Sequence, residues 1–390
     1  MSAPARGFPE DEFRDRVRRA QAAMAQRGLD ALLLTTEAEV RYVTGFLTRF
    51  WESPTRPWFV VLPAAGDPVA VIPSIGAAPM AATWLSDIRT WRAPDYGDDG
   101  IGLLADTLRE IAGPGARVGH ASGLETQLRM PADDVARLGA RLGPGALVPD
   151  GGLIRGLRAV KSPAEVAKIE HACAIAGRAF ARVSEIAGPG VPLEAVFRHF
   201  QMLLLDEGAD WVPYLAGGAG PGGYADVISP ATPVPLHPGD ILMLDTGLVW
   251  DGYFCDFDRN WAVGHATPAS VAAHARLIEA TEAGFAAARP GATAAEVFHA
   301  MDRIVTGGAG GSDAGRLGHG LGMQLTEGLS LIPADHTVLE PGMVLTLEPG
   351  IETGEGRIMV HEEDIVIGAE GPRWLTERRG AELPVLGEMA

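Results

Sequence analysis

Three aspartates lie close together in one apolar stretch of the chain: Asp245, Asp256 and Asp258. The surrounding residues read as two strands joined by a turn near Asp251-Gly252. A loop centred between Trp250 and Asp251 sets Asp245 opposite Asp256. A two-residue loop made of Asp251 and Gly252 sets it opposite Asp258 instead. Either register puts the three carboxylates on one face, because strand side chains alternate with period two. Like charges directly across a hairpin repel, and burial sharpens the conflict. A bound cation resolves it. An exposed acidic face would resolve it too, but Leu242, Leu244, Phe254 and Phe257 are too apolar for a hairpin wholly in water.

A second hairpin repeats the pattern. Thr346-Leu347-Glu348-Pro349-Gly350 leads through Gly354-Glu355-Gly356 into Met359-Val360-His361-Glu362-Glu363-Asp364. A turn centred between Glu355 and Gly356 sets Glu348 opposite Glu363. A further donor stands in Gly318-His319-Gly320, where the glycines let the backbone approach closely and leave the ring room to reach a metal. Four carboxylates and one neutral imidazole balance two divalent cations. An oxygen-rich set with one nitrogen favours Mn²⁺, Co²⁺ or Fe²⁺, with Zn²⁺ also compatible.

These residues must be held by a sizeable scaffold, and the chain is long enough for two domains at 390 residues. The first half alternates helix and strand: a helix over about 10–27 ending at Gly28, strands over 31–34, 58–62 and 68–72, a helix over 99–112, a strand over 117–120 and a helix over 131–142. Asp150-Gly151-Gly152 breaks that pattern. Ser162-Pro163-Ala164-Glu165 then opens a long helix with an N-cap, a first-turn proline and a capping box. The expected organisation is a smaller α/β domain over 1–155 and an α+β catalytic domain over 156–390. In the latter, helices over 163–187, 192–206, 267–288 and 293–306 cover paired strands, and Gly217 to Gly223 reads as a glycine-rich loop.

The ordered set Asp245, Asp256, Gly318-His319-Gly320, Thr346-Leu347-Glu348-Pro349-Gly350 and Glu363-Asp364 resembles the creatinase, prolidase and aminopeptidase P family of "pita-bread" metallopeptidases. Lys161-Ser162-Pro163-Ala164-Glu165 resembles that family's lead into its catalytic domain, so the likeness covers nearly the whole chain. It implies a pita-bread domain behind a creatinase-type N-terminal domain. It also implies two metals on Asp245, Asp256, His319, Glu348 and Glu363, which would activate a bridging water, with Glu348 moving its proton. Relatives carry a histidine before the first aspartate, where alignment on Gly239-Asp240 puts Ile228. They carry another seven residues past the metal histidine, where this chain has Thr326 before Glu327. His361 stands where proline-specific members have arginine, and Asp258 where they have a hydroxyl. His237 could replace part of what is missing. The resemblance therefore makes His361 a catalytic candidate and Ile228, Thr326, Asp258, Trp51 and Arg56 substrate-binding candidates. It predicts that ordinary Xaa-Pro dipeptides are poor substrates and that activity follows the titration of His361 between about pH 5 and 8.

Other readings are a creatinase-like C–N hydrolase, a lyase of the dimethylsulfoniopropionate type, or a binding module without catalysis. Retention of all five donors argues against the last. With 32 basic and 50 acidic side chains, net −18, the chain is a poor nucleic-acid partner. The excess is concentrated: residues 156–390 carry 15 basic and 31 acidic side chains. No apolar run is long enough to cross a bilayer, Met1 to Glu12 lacks a signal-peptide core, and Cys173 and Cys255 suit a reducing compartment. A cytoplasmic protein is expected. Aromatics and arginines over 46–58 read as anchors of a homodimer interface, or equally as domain core filled by Trp51 and Trp58. A small molecule or dipeptide is the expected substrate.

Overall fold

Short-range signals start and stop the helices. Glu10–Arg27 ends where Gly28 turns left-handed at φ 62°. Ser162 with Glu165 and Thr293 with Glu296 close capping boxes ahead of the helices Pro163–Ala181 and Ala294–Val305. The computed structural model describes residues 3–53, 56–311, 315–354 and 356–387. It comprises two compact units, one spanning Ala5–Arg158 and the other beginning at Ala159.

The first unit is built on β1 (Ala31–Leu34), β2 (Phe59–Pro63), β3 (Val69–Pro73), β4 (Ile88–Trp91), β5 (Val118–His120) and β6 (Leu147–Pro149), in the order β4-β3-β2-β1-β5-β6. The central strands are apolar at nearly every position and buried throughout. The helices Ile101–Ala112 and Ala132–Leu142 bring Leu104, Leu108 and Leu138 onto Leu33, Val61 and Val71. The sequence reading missed the helix Glu37–Thr44, which Thr36 and Glu39 open with a capping box and Gly45 ends, and the edge strands β4 and β6. Trp51 and Trp58 are 9% and 2% exposed, with ring centroids 5.9 Å apart, so this aromatic pair is core of the unit. The guanidinium of Arg129 donates to the carbonyls of Trp51, Ser53 and Arg56, and Arg56 lies over the ring of Phe50. Pro54 and Thr55 of that segment lie outside the described residues.

The second unit holds β7 (Trp211–Pro221), β8 (Asp240–Trp250), β9 (Tyr253–Phe254), β10 (Phe257–Val263), β11 (Val344–Leu347), β12 (Gly350–Gly354), β13 (Arg357–Val360), β14 (Glu363–Gly368), β15 (Gly371–Trp374) and β16 (Val385–Leu386). One sheet runs β16-β10-β8-β7 with β9 on β8, a second runs β11-β14-β15, and β12 pairs with β13. Helices Pro268–Ala287 and Ala294–Val305 supply Leu277, Phe298 and Met301 to a core shared with Ile241, Leu345 and Ile365.

Gly217 to Pro221, expected in a loop, is the end of strand β7. Glycine is required there because a Cβ on Gly217 would run into the carbonyl of Met243 across the ladder, and φ is 141°. Both lysines of the chain lie on or just before the helix Pro163–Ala181, buried in ion pairs. Lys161 Nζ is 2.9 Å from Glu327 Oε1, and Lys168 Nζ is 2.6 Å from Asp251 Oδ2. Among the described residues, no helix is long and apolar enough to cross a membrane.

Candidate metal centre

The loop between β8 and β9 is Asp251-Gly252, both at positive φ, 44° and 66°, as a tight two-residue hairpin turn requires. It fixes the second of the two registers: Asp245 faces Asp258, and Asp256 sits in the gap between β9 and β10. In the other hairpin, Gly354 pairs with Arg357. A bulge between Glu352 and Gly354 then moves the register by one residue, so that Glu352 pairs with Ile358 and Gly350 with Val360. Leu347 faces Glu363 on the next ladder. Glu348 therefore stands opposite Glu362, and the expected opposition to Glu363 is overturned. Glu355, on which that expected turn was centred, lies outside the described residues.

His319 is brought in by a segment that runs beside β11. Gly320 bridges to Leu345, His319 N donates to Thr346 Oγ1 at 3.2 Å, and Thr346 N donates to the His319 carbonyl at 2.8 Å. A Cβ on Gly318 would strike the Thr346 carbonyl, and one on Gly320 the carbonyl of Glu327. The flanking glycines are what allow this approach.

Asp256, His319 and Glu362 each present a ligand atom within 4.8 Å of the others, and all three are buried. His319 Nδ1 is 3.0 Å from the Gly320 carbonyl. A carbonyl can only accept, so Nδ1 carries the proton and Nε2 presents a lone pair. That lone pair faces Asp256 Oδ2 at 3.4 Å. Burial, helped by Arg316, pushes the imidazole down to about 4, so it is neutral at physiological pH. Burial pushes Asp245 up to about 6 and Glu348 up to about 7, and raises Asp256 and Glu362 well above the carboxylate range. Neighbouring carboxylates add to the rise in Asp256, Glu348 and Glu362. Asp245 Oδ2 accepts from the Tyr214 hydroxyl at 3.0 Å. Asp245 Oδ1, Asp256 Oδ1 and Glu362 Oε1 are buried with no hydrogen-bond partner among the described residues. Unpartnered carboxylate oxygens grouped around an imidazole lone pair fit divalent cations in donor type and in charge.

Glu363 belongs to a different network. Arg259 Nη2 is 2.9 Å from its Oε2, the Thr376 hydroxyl donates to the same oxygen, and His361 Nε2 lies 3.2 Å from Oε1. Burial would raise this carboxyl, yet Arg259, His361 and Thr376 together hold it down at about 2. Glu363 is thus paired with Arg259 and Thr376. His361 is 1% exposed, and burial lowers its pKa from the ordinary imidazole value despite Glu363 beside it. Asp258 is also 1% exposed, and its Oδ1 accepts from Glu362 N at 3.1 Å, which anchors the Glu362 backbone. Arg259 adds to that anchoring by donating to the carbonyls of Asp258 and Glu362.

A cleft of about 640 Å³ opens beside Glu348, walled by Val305, Ile351, Ile358 and Val360, with Arg316 on its lining. Arg316 Nε is 3.4 Å from Glu348 Oε1, and its Nη2 donates to Thr326 Oγ1 at 3.3 Å. Thr326 thereby reaches the site through Arg316. Ile228 is 87% exposed on the connection from β7 to β8 and does not join the cluster. Trp51 and Arg56 belong to the first unit. His237 is tied to Asp240, whose carboxylate accepts from the His237 amide at 2.8 Å. Sequence reasoning missed Glu362, Tyr214 and Arg316. Glu362 was visible as the neighbour of a chosen residue, whereas nothing in the sequence marked the other two.

Residues 167–369 match Metallopeptidase family M24, and residues 16–160 match the Creatinase/Prolidase N-terminal domain. The chain is 32% identical over 370 residues to a probable dipeptidase PepE of Mycobacterium bovis, covering 94% of each. It is 30% identical over 231 residues to an Xaa-Pro dipeptidase of Pyrococcus horikoshii, covering 58% of this chain and 64% of the relative. The crystal structure of dipeptidase PepE from Mycobacterium ulcerans superposes with a TM-score of 0.85 at 29% identity, over 98% of this chain and 100% of the other. A dipeptidase structure from Pyrococcus horikoshii gives a TM-score of 0.83 at 25% identity, over 95% and 100%.

Proposed function

The chain belongs to metallopeptidase family M24 and is a hydrolase; on that footing we propose that it is a dinuclear metal-dependent dipeptidase with Asp245, Asp256, His319, Glu348 and Glu362 as ligands. The observation that carries this reading is the lone pair of neutral His319 Nε2 facing Asp256 Oδ2 at 3.4 Å, beside the buried, unpartnered oxygens of Asp245, Asp256 and Glu362. Glu362 replaces Glu363 in the ligand set because Glu363 is already neutralised by Arg259. Mn²⁺, Co²⁺ or Fe²⁺ suit four carboxylates and one imidazole best.

When bound, such ions supply Lewis acidity and make water a stronger nucleophile at neutral pH. The rest is done by the chain. Glu348, on the lining of the cleft, is the carboxylate placed to take the proton from the attacking water and return it to the departing amine. Tyr214 holds Asp245 by donating to Oδ2. Asp258 and Arg259 fix the backbone from which Glu362 projects.

Dipeptidase names among the relatives support a small peptide substrate. Thr326, which reaches the site through Arg316, lacks the imidazole the resemblance calls for, so Xaa-Pro dipeptides are expected to be cleaved poorly relative to other dipeptides or small amides. Two metals per chain by elemental analysis, and dipeptide hydrolysis lost on exhaustive chelation and restored by Mn²⁺, are the expected results. Full activity after chelation would refute the reading, and kcat/KM for Xaa-Pro substrates of roughly 10⁵ M⁻¹s⁻¹ or more would refute the substrate preference.

A pH signature follows from the same carboxyls. Asp245 and Glu348 have folded pKa values raised to about 6 and about 7, so the folded metal-free chain binds more protons than the unfolded chain. Its stability therefore falls as pH rises from about 4, the unfolded carboxyl value, through these folded values. Metal reverses this, since it needs the ions that deprotonation exposes. The gain in Tm on adding Mn²⁺ should be small near pH 5 and grow steadily towards pH 8, as read by thermal scans across that range. A gain independent of pH would count against the cluster as the site.

A further inference from the structure

We infer that Asp364 is a positioning residue: with Thr346, its partner across one rung of the β11–β14 ladder, it sets the spacing between Asp256 and His319 and so the fit of the metal centre. This rests on the ligand set proposed above. Asp364 is fully buried, and its Oδ2 accepts from the Asp256 amide at 3.0 Å and from the Cys173 thiol at 3.2 Å. One carboxylate thus joins β14, the helix Pro163–Ala181 and the backbone of a metal donor.

The Asp256 amide needs such a partner. β9 ends at Phe254 and β10 begins at Phe257, so Asp256 falls where the hairpin ladder is interrupted. A buried amide without an acceptor is costly, and among the described residues Asp364 is the acceptor. Packing alone gives no reason for a carboxylate here. Asp364 Oδ1 is buried with no hydrogen-bond partner among the described residues, which makes the side chain an expensive filler. What it adds over an apolar residue of the same size is the hold on Asp256.

The ladder supplies the other half. Asp364 stands directly opposite Thr346, and opposed residues of an antiparallel pair share a face. Leu345 and Ile365, the adjoining rung, enter the core, which leaves Thr346 and Asp364 turned to the metal centre. Thr346 Oγ1 accepts from the His319 amide at 3.2 Å, and Thr346 N donates to the His319 carbonyl at 2.8 Å. Two donors from different parts of the chain are therefore hung by their backbones on one rung. Their side chains meet at 3.4 Å, His319 Nε2 to Asp256 Oδ2.

The test titrates the metal-free full chain with Mn²⁺ by calorimetry and reads donor geometry from the visible absorption of the Co²⁺-loaded chain. Asp364→Leu, which removes the acceptor, should weaken Mn²⁺ binding by about 10- to 100-fold, the usual cost of losing a group that orients a ligand, and should shift the Co²⁺ bands. Asp364→Asn keeps an oxygen acceptor and should restore most of the affinity. Cys173→Ala disturbs the same carboxylate but leaves its contact with Asp256, and should bind metal like the wild type. Thr346→Val keeps the backbone bond and loses the acceptor for His319. It should also weaken Mn²⁺, and it carries the test if Asp364→Leu does not fold. Wild-type affinity in Asp364→Leu or in Thr346→Val overturns the inference and leaves the ligand set intact, as does an equal loss in Asp364→Asn or Cys173→Ala. If the wild type takes up no metal, the ligand reading fails, and hydrogen exchange of the Asp256 amide in the metal-free chain decides. Faster exchange in Asp364→Leu than in Asp364→Asn sustains the hold on Asp256, whereas unchanged exchange overturns it.

Discussion

Glu362→Gln is expected to lower metal-dependent activity by more than about 100-fold, beyond the 10- to 100-fold loss typical of residues that merely support a ligand. It should also reduce the metal content, while the metal-free protein melts no lower than the wild type. Glu362 is buried among Asp256, Glu348, Asp245 and Asp258, which with burial raise its pKa well above the carboxylate range, so the metal-free fold favours a neutral group there and glutamine supplies one. Glu363→Gln should do the reverse. It leaves the metal donors in place and disturbs the partner of Arg259, so stability falls while the metal stoichiometry holds. Elemental analysis and thermal melts of the two variants separate them. If Glu363→Gln loses metal and Glu362→Gln keeps it, the ligand assignment is wrong.

The second large effect is expected at Arg259. Its guanidinium is 4% exposed, pairs with Glu363 at 2.9 Å, donates to the carbonyls of Asp258, Glu362 and Glu377, and lies over the Phe257 ring at 4.6 Å. Arg259→Met leaves a buried carboxylate without its cation, a change that costs about 3–5 kcal/mol when one partner of a buried pair is removed. In the wild type, Glu363 sits at about 2 when folded. Its contribution to stability is therefore present above the unfolded carboxyl value of about 4.3 and is lost as pH falls towards 2. In Arg259→Met that acid-side loss should shrink, because the carboxyl no longer has a cation holding it down. Denaturant melts between about pH 2.5 and 7 measure both effects, and a cost under about 1 kcal/mol at neutral pH would contradict this account. Combining Arg259→Met with Glu363→Gln should cost less than the sum of the two.

Caps and glycines made helix ends legible at Gly28, Ser162 and Thr293, while the helix Glu37–Thr44 went unread although Thr36, Glu39 and Gly45 mark it in the same way. Both hairpins and their acids were legible too, because carboxylates embedded in apolar strands have few explanations. The register was harder, since it is fixed by backbone features that leave little trace in the sequence. At the tip of the second hairpin, Gly354 pairs with Arg357, as a turn centred between Glu355 and Gly356 demands. The bulge one step inward then moves every deeper pair by one residue and substitutes Glu362 for Glu363. In a run reading His-Glu-Glu-Asp, a slip of one residue exchanges one carboxylate for another without any visible penalty in pattern. Arg316 and Tyr214 were beyond reach for a different reason: each meets the site through tertiary contact alone, with Tyr214 on a strand 31 residues from the aspartate it holds.

The two buried ion pairs of Lys161 and Lys168 bear on the chemistry of labelling. The chain has no other lysine, and the two side chains are 1% and 2% exposed, so every cationic side chain at the surface is arginine or histidine. Amine-selective acylating reagents and ε-amine cross-linkers thus find no lysine target on the folded molecule. Acylation of Lys168 requires the helix Pro163–Ala181 to part from Asp251, which makes the rate of lysine modification a direct clock for the opening of the second unit.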